Sequence, residues 1–438
     1  MAGIGPRLSI AVIGAGITGL SAAWLLGKRH AVTLFEADSR LGGHAHTVSV
    51  TLGRKTVAVD TGFIVYNEQN YPNLTALFDT LGVETQASDM SFAVSTRHGV
   101  EYSSNGPMAF LAGGRNLLKP RFWSMSLDLL RFYREAGAHL RDAPEELTLG
   151  AYLDQRGYGA PFQRDHILPE AAAIWSSSVE DMRAYPARAF IRFFENHGLL
   201  RLIKRPEWRT VVGGSRTYVA RIAAEFGGDV RLASPVTSVR SISSGVEVQE
   251  RDGRTSRFDR VLIATHADQA LAMLTAPDES QRSVLGAIAF RDNIAVLHTD
   301  ASHMPRRRAV WSSWNYVGDG DGGGCAVTYW MNRLQRLDTD EPLLVTLNPA
   351  RPIAPERVLW QGVYAHPCFT TDALRAQARL DDVQGRGNVW FAGAWCGSGF
   401  HEDGLQAGLD AAEAIGGDLR SWLKPDGVAE TDALEAAA

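Results

Sequence analysis

Gly14-x-Gly16-x-x-Gly19, followed by an acid at Glu36, is the spacing in this chain with the clearest chemical meaning. The first glycine permits a tight turn, the second lets backbone approach a pyrophosphate, and the third lets a helix pack on a strand. The helix N-terminus then offers free N–H groups and positive dipole to phosphate. A carboxylate at Glu36 suits ribose hydroxyls and repels a 2′-phosphate. Gly318-x-Gly320-x-x-Gly323 repeats the spacing with neither helix nor acid behind it and reads as a loop between two strands.

His401-Glu402-Asp403 gathers three ionisable groups. A proton relay is one reading, since carbon oxidation needs a hydride acceptor and sometimes a base. The other is structural: Glu402 and Asp403 cap a helix and His401 packs beside them. His44 and His46 alternate on one side of an extended chain, the geometry of a metal pair, yet no HExxH or similar ligand spacing occurs, so no metal site is expected.

The elements that must position these groups are legible around the glycines. Residues 8–13 and 31–35 read as short buried strands and 18–26 as a helix, a βαβ unit that implies a parallel sheet. Residues 9–27 form the only long uncharged run, of a length to span a bilayer or serve as a leader. Its glycines and the strand that follows point instead to the βαβ unit. Residues 70–209 read as mostly helical, broken by prolines. Within them 127–140 is a helix with Leu127, Leu130, Tyr133 and Leu140 as its apolar positions. Residues 218–226 read as a helix, and 230–232, 236–239, 246–249 and 261–264 as strands. Further strands are expected at 295–298, 309–314, 326–330, 358–363 and 389–391, with a helix over 405–415.

The chain has 438 residues, 45% of them hydrophobic and 21% charged, an ordinary globular composition that excludes a disordered or collagenous chain. A net charge of −5 gives no case for nucleic-acid binding. Cys325, Cys368 and Cys396 are too few and too scattered for a disulfide framework or zinc ribbon, which fits a cytoplasmic location. Two stretches, 182–209 and 110–141, interleave basic with aromatic residues. Each is either a peripheral contact with the inner face of a membrane or a solvated helix face over ordinary core.

Beyond Glu36, the extension Arg40-x-Gly42-Gly43 resembles the flavin amine-oxidase and phytoene-desaturase superfamily, in which FAD is tightly held. Val211-Val212-Gly213-Gly214-Ser215 with Pro235-Val236 is similar to its second FAD segment. Val389-Trp390-Phe391-Ala392-Gly393 with Ala407-Gly408-x-x-Ala411-Ala412 is similar to its C-terminal segment. The resemblance implies FAD as cofactor, held by Gly14, Gly16, Ile17, Thr18, Gly19, Glu36, Ala37, Arg40, Gly42, Gly43, His44, Val236, Gly393, Asp403, Gly404 and Leu405. It implies an α/β fold: a Rossmann-type FAD domain (1–69, 206–270, 386–424), an inserted α+β substrate domain (70–205, 271–385), and a flexible tail (425–438).

A narrower resemblance rests on Ala173-Ile174-Trp175-Ser176, Phe194-x-Asn196-His197-Gly198, Val327-Thr328-Tyr329-Trp330-Met331-Asn332, Val345-Thr346-Leu347-Asn348-Pro349, His366-Pro367 and Gly399-Phe400-His401-Glu402-Asp403-Gly404. These look like the FAD oxidoreductases found beside bacterial cyclopropane-fatty-acid synthases. The implied substrate is a fatty-acyl lipid with an unsaturated, methyl-branched or cyclopropane chain, and the implied partner a cyclopropane synthase or lipid methyltransferase. The implied chemistry is desaturation towards furan-type fatty acids by hydride transfer to flavin, with Phe400, His401 and Glu402 as the catalytic candidates. An amine oxidase, a lipid double-bond isomerase and a non-catalytic FAD-binding partner of a methyltransferase are the alternatives. Three departures count against amine oxidation. Residues 271–385 contain no Lys to bridge to the flavin, only Phe400 matches an aromatic-cage position, and Ala394-Trp395 stand where relatives carry an acid. Cys396 is a candidate for a covalent flavin link or a buried free thiol.

Overall fold

A computed structural model of the chain describes residues 6–422, apart from 97–99, 113, 141–142, 145, 176, 202–205 and 319–325. Gly320, Gly323, Cys325 and the 425–438 tail lie outside the described residues.

Ser9–Ile13 is apolar and almost wholly buried because it occupies the middle of a sheet covered on both faces. The sheet runs Asp229–Arg231, Ala31–Phe35, Ser9–Ile13, Arg260–Ile263, Val389–Phe391, with every pair parallel. The uncharged 9–27 run is thus divided between a strand and the helix Ile17–Gly27 (α1). No helix among the described residues is long and apolar enough to cross a membrane.

A second sheet has seven strands in the order Val358–Pro367, Phe290–His298, Leu344–Leu347, Val327–Trp330, Trp314–Gly318, Phe92–Thr96, Glu101–Ser103. All its pairs are antiparallel except Trp314–Gly318 with Phe92–Thr96. Three expectations change here. Residues 70–209 are not all helical, since Phe92–Thr96 and Glu101–Ser103 are strands. The 309–314 strand is displaced to Trp314–Gly318, after a 3-10 turn at Arg308–Val310. Leu344–Leu347, not expected as a strand, is fully buried near the sheet centre.

Helices pack against both sheets. Pro72–Leu81 (α2) begins with proline at its first turn, where no N–H is missed. Pro120–Leu140 (α3) is helical as its period requires, but its core face is Phe122, Met125, Leu129, Phe132, Ala136 and Leu140. Leu127 and Leu130, expected inside, are 67% and 51% exposed. In the basic-aromatic stretch 182–209, Phe190, Phe193 and Phe194 are buried among Trp175 and Tyr185. The last helix, His401–Ile415 (α4), starts one turn before the expected 405.

Candidate functional site

The glycine loop is built as its spacing demands. Gly14 takes φ +98°, and its N–H bonds to the Phe35 carbonyl at 2.8 Å, pinning the loop across two strands. A Cβ on Gly19 would sit 1.8 Å from the Gly14 carbonyl oxygen, whereas a Cβ on Gly16 would meet nothing within 4 Å. The double glycine closes over the same loop: Gly42 N–H donates to the Ala15 carbonyl at 2.8 Å, and a Cβ on Gly43 would lie 3.1 Å from the Gly16 Cα. Arg40 holds the turn through the Gly43 carbonyl at 2.9 Å. Glu36 accepts the N–H groups of Ala15 and Asp38, and Ala37 beside it is exposed. Val236 opens the strand Val236–Ile242 and is half-buried.

α4 packs on α1 through its glycines. A Cβ on Gly404 would lie 3.0 Å from the Thr18 hydroxyl, and one on Gly408 would lie 2.3 Å from the Thr18 carbonyl. With Gly404 in the first turn of α4 and Thr18 in the first turn of α1, two helix N-termini lie side by side. Their positive dipole ends add in one place, which favours bound negative charge. Ile17 and Leu405 are buried in the packing between the helices. Gly393 is needed because the Trp395 indole lies where its Cβ would be, 2.2 Å away. That indole donates to the Thr265 carbonyl at 2.9 Å, tying together the ends of two sheet strands.

The His401-Glu402-Asp403 triplet divides its tasks. The Glu402 carboxylate accepts the backbone N–H of Asn73 (2.8 Å), the Asn73 side-chain amide (2.8 Å) and the Leu74 N–H (3.0 Å). It therefore caps the N-terminus of α2 from a different helix. Burial raises its pKa, against the pull of these donors. Asp403 accepts the Phe400 N–H at 2.8 Å and fixes the turn into α4. His401 stacks on Phe63 at 3.9 Å and meets the Tyr218 hydroxyl at 2.7 Å, and burial pushes its pKa down to about 3. His401 and Glu402 are thus both held by partners within the chain, as the structural reading expects, and turnover of variants separates that reading from the proton relay. Glu402→Ala should then leave three donors without their acceptor and lower stability by about 2–4 kcal/mol. Thermal melting checks this; an unchanged melting temperature with lost turnover would restore the catalytic reading.

Phe400 stacks on Phe193 at 4.7 Å, with His197 and the edge of Trp175 beside it. This ring partner, unmatched in the sequence, comes from a helix more than two hundred residues earlier, and no local pattern signals it. Beyond Trp175 a cavity of about 90 Å³ is lined by Met182, Tyr185, Pro367 and Phe369. His197 is held neutral by burial, its pKa pushed down to about 4.

Next to the double glycine, His44 is surrounded by Tyr364 (4.8 Å between rings), His366 (5.5 Å) and His266 (6.2 Å). Burial and these neighbours hold it neutral, well below the usual histidine range. Its Nε2 is buried with no hydrogen-bond partner. His46 meets the hydroxyl of the same Tyr364 at 3.1 Å. Asp60 was not singled out by spacing. It is buried and accepts from Thr47, from the N–H and hydroxyl of Ser215, and from Gln335 at 2.8 Å. It thereby joins the hairpin Thr47–Leu52/Lys55–Asp60 to the Gly213-Gly214 turn. Cys396 is a free thiol, with burial pushing its pKa up to about 12, so it is a poor nucleophile. No metal-binding cluster occurs among the described residues.

These features fit a dinucleotide. Gly16 leaves open space at a helix N-terminus, a second helix N-terminus adjoins it, and an unpaired buried nitrogen at His44 awaits a polar partner. Residues 17–416 match the family of flavin containing amine oxidoreductases. Among solved structures the chain is similar to a CLA-producing fatty acid isomerase from P. acnes, at 15% identity and TM-score 0.68, covering 95% of this chain and 99% of that one. It is similar to putrescine oxidase bound to putrescine (16%, TM-score 0.68, 94% and 99%). A cyclohexylamine oxidase from Brevibacterium oxydans IH-35A gives 18%, TM-score 0.67, 94% and 99%. The cradle of glycines and paired helix ends, together with a family match spanning nearly the whole chain, makes this protein a member of the flavin containing amine oxidoreductase family and an FAD-dependent oxidoreductase.

Proposed function

We propose that the substrate is a fatty-acyl lipid and that the reaction is desaturation. The observation that carries this reading is the wall around Phe400. It consists of Trp175, Phe193, Phe400 and a neutral His197, continuing into the cavity at Met182 and Phe369. Of the nearby carboxylates, Glu402 and Asp403 are spent on backbone N–H groups, and Asp181, which lines the cavity, is paired with Arg291. Such a wall suits methylene groups and offers no free anion to a polyamine. The fatty acid isomerase shares the fold and supports the same substrate class.

FAD, when bound, would supply the hydride acceptor, and the proton lost with the hydride would pass to water or to His401 or Glu402. Gly14, Gly16 and Gly19 would admit its pyrophosphate, and Glu36 would meet ribose while releasing part of its hold on the loop. Ile17, Thr18, Gly404 and Leu405 would set the paired helix ends against it. Arg40, Gly42 and Gly43 would close the loop, and His44 would present Nε2 to a polar atom of the cofactor. Val236 and Gly393 would meet it through backbone. The aromatic wall orients the chain and excludes water. A cyclopropane synthase or lipid methyltransferase would provide the modified acyl chain.

The test is anaerobic mixing of the flavin-loaded protein with phospholipid bearing methyl-branched monounsaturated chains. Bleaching of the visible flavin band with a product two hydrogens lighter is expected. A product of unchanged mass with a moved double bond would assign isomerisation instead. Bleaching by a polyamine alone would make the protein an amine oxidase. An inert flavin with every lipid would make it an auxiliary partner.

A further inference from the structure

Six large apolar side chains between residues 108 and 130 stand in solvent: Met108 (69% exposed), Leu117 (46%), Leu118 (90%), Trp123 (44%), Leu127 (67%) and Leu130 (51%). They are held there by construction. Asn116 is fully buried and donates to the carbonyls of Glu101 (2.8 Å) and Phe110 (3.2 Å), which clamps the turn Arg115–Leu118 to the edge of the seven-stranded sheet. Clamping Asn116 inward turns its neighbours Leu117 and Leu118 outward. The Trp123 indole donates to the Leu117 carbonyl at 2.9 Å and locks this turn to α3. Along α3 the stripe continues through Leu127 and Leu130 at helical spacing and ends at exposed Arg134. The opposite face of α3, with Phe122, Met125, Leu129 and Phe132, already fills the core. The outer stripe is therefore a second apolar face, exposed among the described residues.

From residue 102 to 127 there is no Asp or Glu, and Arg115 stands exposed with Lys119 half-buried near it, while Arg121 is paired with the buried Asp165. The first acid after this stretch, Asp128, is neutralised by Arg131 at 3.2 Å and accepts the Gly159 N–H. Leucines at turn tips, a tryptophan whose polar end is satisfied, and a basic surround match an anionic headgroup layer over hydrocarbon.

We infer that the turns between residues 107 and 118 and the outer face of α3 form a docking surface for an anionic phospholipid bilayer. Monotopic seating of this kind needs no spanning helix: the leucines enter the acyl boundary and Arg115 stays at headgroup level. The inference stands on this surface alone and does not depend on which substrate the flavin site takes.

The test is co-sedimentation of the flavin-loaded protein with vesicles of phosphatidylcholine, with and without phosphatidylglycerol. Binding is expected with phosphatidylglycerol, weaker in its absence, and weakened by salt through its electrostatic part. The double variant Leu118→Glu/Leu127→Glu should lose about tenfold or more in vesicle affinity. Its flavin spectrum and melting temperature should match the wild type, because both side chains are in solvent. Trp123→Phe should in addition remove fluorescence quenching by brominated lipid. Equal vesicle binding by wild type and double variant would overturn the inference. So would no vesicle binding together with a dimer that Leu118→Glu splits, which would assign the surface to a second copy of the chain.

Discussion

Gly16→Val is expected to yield a folded protein that no longer retains FAD. Gly16 has φ −69° and ψ −176°, extended backbone open to any residue, and an added Cβ meets nothing within 4 Å. The protein alone therefore has no reason to reject valine. The space that valine fills is the approach to the N-terminus of α1, where the cofactor's phosphates belong. A loss of at least about a thousandfold in FAD affinity, roughly 4 kcal/mol, is expected. The flavin-to-protein ratio after purification measures it, and circular dichroism of the apoproteins should be indistinguishable. Gly19→Val is the contrast, because its side chain would collide with the Gly14 carbonyl and cost the fold as well. Full flavin occupancy in Gly16→Val would refute this placement of the dinucleotide.

Mild acid should unfold the protein cooperatively. Burial pushes His46, His197, His298 and His366 down to about 4 and His401 to about 3. Unfolded, each titrates near 6.5, so between pH 6.5 and about 4 the unfolded chain binds more protons than the fold. Stability is complete above that window and is lost as pH falls through it. At pH 5 each histidine removes about 2 kcal/mol, and halving this for solvent screening still leaves roughly 5 kcal/mol for the five. That is comparable with the whole stability of many domains. Asp60 works the other way. Burial raises it to about 6, so its proton is held by the fold and its contribution grows as pH falls. Glu402 and Asp403, also raised by burial, act with it, and against the five histidines, joined by His44, His266 and His303, these carboxyls reduce the loss without reversing it. Tryptophan fluorescence and flavin release during titration from pH 7.5 to 4.5 follow the transition; a native spectrum with bound flavin at pH 4.5 would sink the argument.

The parts of the molecule legible in its sequence are those whose partners are close in the chain. The strand, glycine loop and helix over residues 9–27 are followed at once by the strand Ala31–Phe35 that pairs with the first, and the open space at Gly16 is at the position its spacing indicates. Phe92–Thr96 escaped because it is completed by a parallel neighbour at Trp314–Gly318. α3 shows a subtler failure: its period was plain but its phase was not. Both faces carry leucine, and only the location of the core decides between Leu129 inside and Leu127 outside. The histidines around His44 and the rings around Phe400 come together from separate stretches, so spacing carries no trace of them. Glu402 was visible as an acid near a helix start, but the helix it caps is α2 as well as the environment of its own.

The parallel sheet draws its strands from residues 9–35, 229–263 and 389–391. During synthesis its edge at Val389–Phe391 and the whole of α4 leave the ribosome long after the first βαβ unit. At about 5–20 residues per second, the first βαβ unit waits at least tens of seconds for the helix that packs on α1. In that interval the glycine faces at Gly19 and along α1 have no cover, and sheet closure must span a loop of over a hundred residues. Flavin present during translation would have no complete cradle to enter. Cofactor capture is therefore expected only once α4 has docked, and a chain shortened before α4 should purify without flavin even with every residue of the glycine motif intact.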